Sequence, residues 1–226
     1  MKTGFLHVAE NEVIMADIFE LFKKIQTSTP ADAGVPEYIV AGLGNPGDKY
    51  TFTRHNAGFL AMDYISQKLG VKINQLKFKS LTAQTTIAGK RVLLMKPQTF
   101  MNASGEAVSE AANFYKIPPE KIIVISDDVA QAPGRMRIRK SGSDGGQKGL
   151  RSIITIMNTD QFPRIRIGVG EKPNREYDMG DWVLGKIPEE DQKKMFEVFG
   201  CVNDALPMLI EGKLDDAMGK FNGVKF

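Results

Sequence analysis

Cysteine and histidine are nearly absent from this chain. Its 226 residues hold one cysteine, Cys201, and two histidines, His7 and His55. One cysteine excludes a disulfide framework and a cysteine zinc site, and two histidines leave almost nothing for a histidine metal cluster. Long apolar runs are missing too. The longest fall far short of the ~20 residues that a membrane-spanning helix needs, which excludes a transmembrane protein. Nor is there a strong charge of one sign: 30 basic against 27 acidic side chains give only +3. So small a balance decides nothing about partners, and the distribution of charge has to decide instead. With 42% hydrophobic and 25% charged residues, the chain is neither disordered nor fibrous. Its length suits one domain, or one domain with a tail. Glycine is in excess, with 22 residues in clusters, and clustered glycine marks tight loops where sites are often built.

Residues 1–13 carry one basic residue near the start and no clean apolar core, and Glu10 and Glu12 interrupt them. They do not read as a secretory signal. From Met15, Ile18, Leu21, Phe22 and Ile25 recur at helical spacing. Residues 27–36 have the composition of a linker. Residues 1–36 are therefore expected to form an N-terminal extension and linker, with Met15 an alternative start. Residues 37–226 are expected to form the functional domain. No export signal and a single cysteine favour the cytoplasm.

Within that domain, short apolar runs alternate with helical patterns. Residues 38–42 (YIVAG) and 122–126 (IIVIS) read as strands buried on both faces, and 165–169 as another. Residues 81–87 and 92–95 read as a hairpin. Asn56 is placed to cap a helix carrying Phe59, Leu60, Met62, Ile65 and Leu69 and ended by Gly70. A second helix, 102–115, should bury Ala107, Val108, Ala111 and Phe114. Helices are also expected over 150–157, 189–209 and 213–221. In 135–140, Met136 and Ile138 alternate with Arg135, Arg137 and Arg139. The pattern is α/β: a single domain with one mixed, mostly parallel sheet flanked by helices on both faces.

Gly42-Leu43-Gly44-Asn45-Pro46-Gly47 follows a strand and fits the dinucleotide fingerprint G-x-G-x-x-G, with Asp63 about 20 residues on. Two features reject that reading. The third glycine should open a helix that holds a pyrophosphate, yet residues 48–54 continue as loop. The acid should end a second strand, yet Asp63 falls inside the first helix. A tight strand-exit turn explains the glycines but not Asn45, Tyr50, Arg54, His55 and Asn56 in the same loop.

Residues 42–59 (GLGNPGDKYTFTRHNAGF) resemble the first signature of the bacterial peptidyl-tRNA hydrolase family. Residues 96–105 (KPQTFMNASG) are similar to the second. Asp127-Asp128, Pro133-Gly134 and residues 139–151 (RKSGSDGGQKGLR) resemble the third, and residues 162–170 (FPRIRIGVG) fit the closing one. Order and spacing hold from about residue 37 to the end. The resemblance implies hydrolysis of the ester joining a peptide to tRNA, which frees tRNA for translation. It implies a monomer with a twisted mixed sheet, no cofactor and no metal. Peptidyl-tRNA is the implied partner, through its acceptor end and phosphates, with no membrane. The alternative within the same fold is a non-catalytic RNA-binding relative.

Ester hydrolysis needs water activated near neutral pH, a task that suits histidine. His55 is the one histidine of the expected domain. Read alone it could be a satisfied packing or capping group; in this polar loop at a strand exit, and with the resemblance, it is the expected general base. Asp127 ends an apolar strand, where α/β enzymes place functional groups, and a carboxylate there would orient the imidazole. Asp128 is the better candidate for a turn cap.

The resemblance gives Asn45 to the blocked amino group of the substrate and Asn102 to water or the substrate end. Asn102 reads equally as an N-cap. Tyr50 and Phe100 fall to the acceptor end, by stacking, although Phe100 alone reads as core. Arg135, Arg137, Arg139, Lys140, Lys148 and Arg151 face Asp144 alone among acids, a density suited to phosphates but also to a guarded edge strand. The family's usual Gly-Gly-His-Asn-Gly reads here Gly145-Gly146-Gln147-Lys148-Gly149, and Ser126 replaces the usual histidine before the aspartate. The three glycines are expected to leave room for a backbone to approach Lys148.

Overall fold

The computed structural model describes residues 34–226. Residues 1–33 of the expected extension, with its helix from Met15 and His7, lie outside the described residues. Five residues, Tyr38–Gly42, form β1, and a loop with two short 3-10 turns leads to α1, Ala57–Leu69. Strands β2 (Gln75–Lys77), β3 (Ser80–Ile87) and β4 (Lys90–Pro97) follow, then α2 (Ser104–Tyr115) and β5 (Ile122–Asp128). The chain continues through β6 (Met136–Arg139), α3 (Lys148–Met157), β7 (Arg164–Gly168), α4 (Met179–Leu184), α5 (Glu189–Ile210) and α6 (Leu214–Phe221).

The strands make one seven-stranded sheet ordered β2-β3-β4-β1-β5-β7-β6. Its centre, β4-β1-β5-β7, is parallel, and the edges pair antiparallel. The central strands are buried on both faces because helices cover both. Val40, Ile123 and Ile125 face α1, α5 and α6. Ile39, Ala41, Ile122 and Val124 face α2 and α3. This two-sided burial is why β1 and β5 read as unbroken apolar runs.

The hairpin β3–β4 turns at Ala88-Gly89, both at positive φ (49° and 73°), the geometry of a two-residue hairpin. Strand β2 carries no such signal. Its turn to β3 uses Phe78 and Lys79 at φ 52° and 49°, a conformation that non-glycine residues seldom adopt. Gly70 ends α1 at φ 65° as expected. Asn56 does not cap α1 through its side chain; that amide is used elsewhere. Phe114 is 63% exposed, and Ala112 takes the buried place beside Ala111. On the edge strand β6, Met136 and Ile138 are fully buried and the arginines exposed. Asn222 covers that edge: its Oδ1 accepts from the Ile138 N–H at 2.6 Å and its Nδ2 donates to the Ile138 carbonyl at 3.3 Å.

Candidate active site

β1 and β5 are parallel neighbours, and the connections from β1 and β5 leave to opposite sides of the sheet. A crevice opens at the carboxyl ends of strands at such a point. The loop after β1 brings His55 there, in the 3-10 turn Arg54–Asn56, and β5 ends in Asp127 and Asp128. His55 Nδ1 lies 2.9 Å from Asp127 Oδ2, with both residues buried. A carboxylate at Nδ1 favours the tautomer carrying its hydrogen there, which leaves Nε2 as the basic nitrogen.

The polar loop is braced from within. Asn45 N–H donates to Asn56 Oδ1 at 2.9 Å, and Asn56 Nδ2 donates to the Asn45 carbonyl at 3.0 Å. Asn56 therefore holds the turn that carries His55 instead of capping α1. Asn45 Oδ1 accepts from the Met101 N–H at 2.8 Å and draws in the loop before α2. Asn102, in the next turn, is exposed and lines the cleft. The residue before α2 is Ala103 and the helix has no side-chain cap, so the N-cap reading of Asn102 is not realised. Phe100 is 51% exposed, not core, and its backbone sits at φ 56°, ψ 161°. Strain of this kind persists where the surroundings hold a side chain in a set place. Tyr50 meets it edge-on, with centroids 6.4 Å apart.

His55, Asp127, Asn45, Phe100, Asn102, Lys148 and Arg151 line one cavity of about 1050 Å³. Arg135, Arg137, Arg139 and Lys140 do not. Across β6–β7, however, Arg137 stands opposite Arg166, which does line it. The strand arginines thus extend the basic face outward from the cleft. Arg151 is not free: it binds Asp144 through Nε at 3.2 Å and Nη2 at 3.3 Å. This pairing and the Gly146 N–H hold the Asp144 carboxyl below its usual range. The glycines differ in use. A Cβ on Gly146 would meet open space, but on Gly145 it would press on Arg166, and on Gly149 it would strike Met101 and Leu43. Only Gly146 leaves the room expected of all three.

Several contributors went unread in the sequence. Helix α4 forms a cleft wall with Met179, Val183 and Leu184. Its one signal was Asp178, which caps it by accepting from the Asp181 N–H at 3.0 Å. Asp128 does serve a turn, accepting from the Ala130 N–H, and it also binds Arg166 Nη2, both at 3.0 Å. Arg164 is wholly buried and donates to the carbonyls of Gly142, Ser143 and Asp160. Burial pushes its pKa down to about 10. It props the glycine loop from below. Asp63 is in α1, paired with Lys96 at 2.6 Å, and α1 begins ten residues after Gly47. Only the three-residue 3-10 turn Asp48–Tyr50 follows Gly47, and no α-helix opens there to hold a pyrophosphate, so the dinucleotide reading fails. Among the described residues, no cluster of three His, Cys, Asp or Glu is arranged to hold a metal, and no helix is long and apolar enough to cross a membrane.

A buried histidine–carboxylate pair, in a cleft at the carboxyl ends of parallel central strands, marks an enzyme of the α/β class. The chain belongs to the peptidyl-tRNA hydrolase family, whose model matches residues 39–226. The peptidyl-tRNA hydrolase of Caldicellulosiruptor bescii is 50% identical over 187 residues, which is 83% of this chain and 97% of that protein. That of Thermoanaerobacter sp. is 50% identical over 186 residues, 82% of this chain and 100% of its own. The crystal structure of peptidyl-tRNA hydrolase from Acinetobacter baumannii superposes with a TM-score of 0.79 at 34% identity, covering 86% of this chain and 98% of that one.

Proposed function

We propose that this hydrolase of peptidyl-tRNA uses His55 as its general base, oriented by Asp127. Nε2 of His55 takes a proton from water as the oxygen attacks the ester carbonyl. The carbon–oxygen bond to the tRNA ribose breaks, and the proton passes from His55 to the departing oxygen. Asn45 and Asn102 meet the peptide and the reacting end. Tyr50 and Phe100 offer flat surface to the acceptor end, and Lys148 with the arginine face meets phosphates. The domain so assigned is 37–226, acting as a monomer in the cytoplasm without a cofactor.

The 2.9 Å contact between His55 Nδ1 and Asp127 Oδ2 carries this reading. Binding RNA does not by itself call for a buried base and its orienting carboxylate, which favours catalysis over the binding-only alternative. The test is turnover of a blocked aminoacyl-tRNA. His55→Ala should lower kcat by about 10²–10⁴-fold and keep most tRNA affinity. Asp127→Asn should slow it severely, because an amide no longer demands the Nδ1–H tautomer. Near-normal kcat in His55→Ala would overturn the assignment, and absence of turnover in the unaltered protein would leave the RNA-binding alternative.

A further inference from the structure

Gln147 is buried at the point where α3 begins, and the mechanism above does not use it. Its Oε1 accepts from the Leu150 N–H at 2.7 Å, which makes it the N-cap of α3. Only an oxygen can meet that N–H, so the orientation of the amide is decided. Nε2 must then face the other way, where it lies 3.0 Å from Asp127 Oδ1 and 3.0 Å from Met101 Sδ. Gly149 allows this approach, because a Cβ there would come within 3.1 Å of Oε1.

The two oxygens of Asp127 therefore have separate partners: Gln147 holds Oδ1 and His55 holds Oδ2. We propose that Gln147 is a positioning residue, which locks the Asp127 carboxylate so that Oδ2 accepts from His55 Nδ1 and Nε2 stays the basic nitrogen. This rests on His55 being the base. A carboxylate released at Oδ1 can rotate about its χ2 bond, a broad two-fold torsion, and the imidazole then loses its fixed acceptor. The amide supplies the same donor at every working pH, since it does not titrate.

Two variants isolate the donor. Gln147→Ser keeps an N-cap oxygen for α3 but cannot reach Asp127. Gln147→Met keeps the volume and loses both bonds. The chain has two histidines, so a His7→Gln background leaves His55 as the sole imidazole in ¹⁵N spectra. In spectra of the neutral ring, the unaltered site should show the hydrogen on Nδ1. Both variants should give a tautomer mixture, lower kcat by about tenfold and keep KM within twofold. A capping role alone predicts that Ser behaves as Gln147 does. An unchanged tautomer in both variants would overturn the proposal. The spectra need no substrate, so they separate this proposal from the assignment of His55, which the kinetics of His55→Ala decide.

Discussion

The Arg54 guanidinium lies over the Trp182 indole, 3.6 Å from the ring centroid, and donates to the Trp182 carbonyl at 3.4 Å. Arg54 precedes His55, and Trp182 belongs to the α4 wall of the cleft. The backbone joins the same elements: Arg54 N–H donates to the Gly185 carbonyl at 3.0 Å, and Thr53 bridges to Lys186. On its other edge, Trp182 Nε1 donates to the Gly170 carbonyl at 2.9 Å. Burial lowers the pKa of Arg54, yet it remains a cation throughout any working range.

Trp182→Leu removes a partly desolvated cation–π interaction, worth about 0.5–2 kcal/mol, and a hydrogen bond worth about 1 kcal/mol. The variant should be destabilised by roughly 2 kcal/mol in denaturant unfolding followed by circular dichroism. Its KM should rise by several fold, because the wall loses its side-chain fastening to the His55 turn and keeps only the backbone bonds. A loss of stability with an unchanged KM would show that α4 does not shape substrate binding.

Binding at the arginine face should depend on salt. Arg137 and Arg139 are exposed and stand opposite Arg166 and Arg164 across the edge pair. Replacing both with glutamine should raise KM for tRNA substrates. It should also reduce the slope of log affinity against log salt by roughly one for each phosphate no longer bound. An unchanged slope would mean that this edge is only guarded against strand pairing.

Much of this fold is legible in the sequence. Strands β1 and β5 read correctly because burial on both faces leaves unbroken apolar runs, and β7 and β6 because apolar residues alternate with arginines along both. His55 and Asp127 stand out because each is a polar group at the exit of an apolar strand. What does not read is pairing between distant segments. Arg54 with Trp182, 128 positions apart, and Gln147 with Asp127, 20 apart, have no period or local pattern. Phe100 misleads for a related reason: an aromatic flanked by apolar Met101 looks like core, and only its positive φ turns it outward. Arg164 looks like one more surface cation, since nothing local says that the carbonyls of Gly142, Ser143, Asp160 and Phe162 converge on it.

Asp144 offers a way to increase affinity. It neutralises Arg151 at the cleft, and its Oδ1 also accepts from the Gly146 N–H at 2.6 Å. Asparagine keeps that turn bond and frees the guanidinium. Because its carboxyl is held below the usual range, the pair persists above that range and is lost only as pH falls through the lowered value. Asp144→Asn should therefore lower KM and steepen the salt slope by about one, with a difference constant from about pH 8 to pH 5. Combining it with Arg151→Gln should cancel the gain; a gain that survives would belong to the loop and not to the freed charge.

Lys148 is the first residue of α3, exposed at the cleft. Where the family usually places an asparagine, with directional donors and an acceptor, lysine offers a point charge and three donors on a flexible stem. It suits a phosphate better than a base or sugar edge, and Gly146, two residues earlier, opens onto free space. The N-terminus of α3 adds its own partial positive charge to the same place. Lys148→Asn should keep kcat within a few fold, since the proton transfers belong to His55. It should weaken tRNA binding at physiological salt and make what remains less salt-dependent. The measurement is KM across a salt series for both proteins. Superimposable curves would mean that Lys148 is solvated and touches no phosphate. Curves that converge at high salt and separate at low salt would place one phosphate on Lys148.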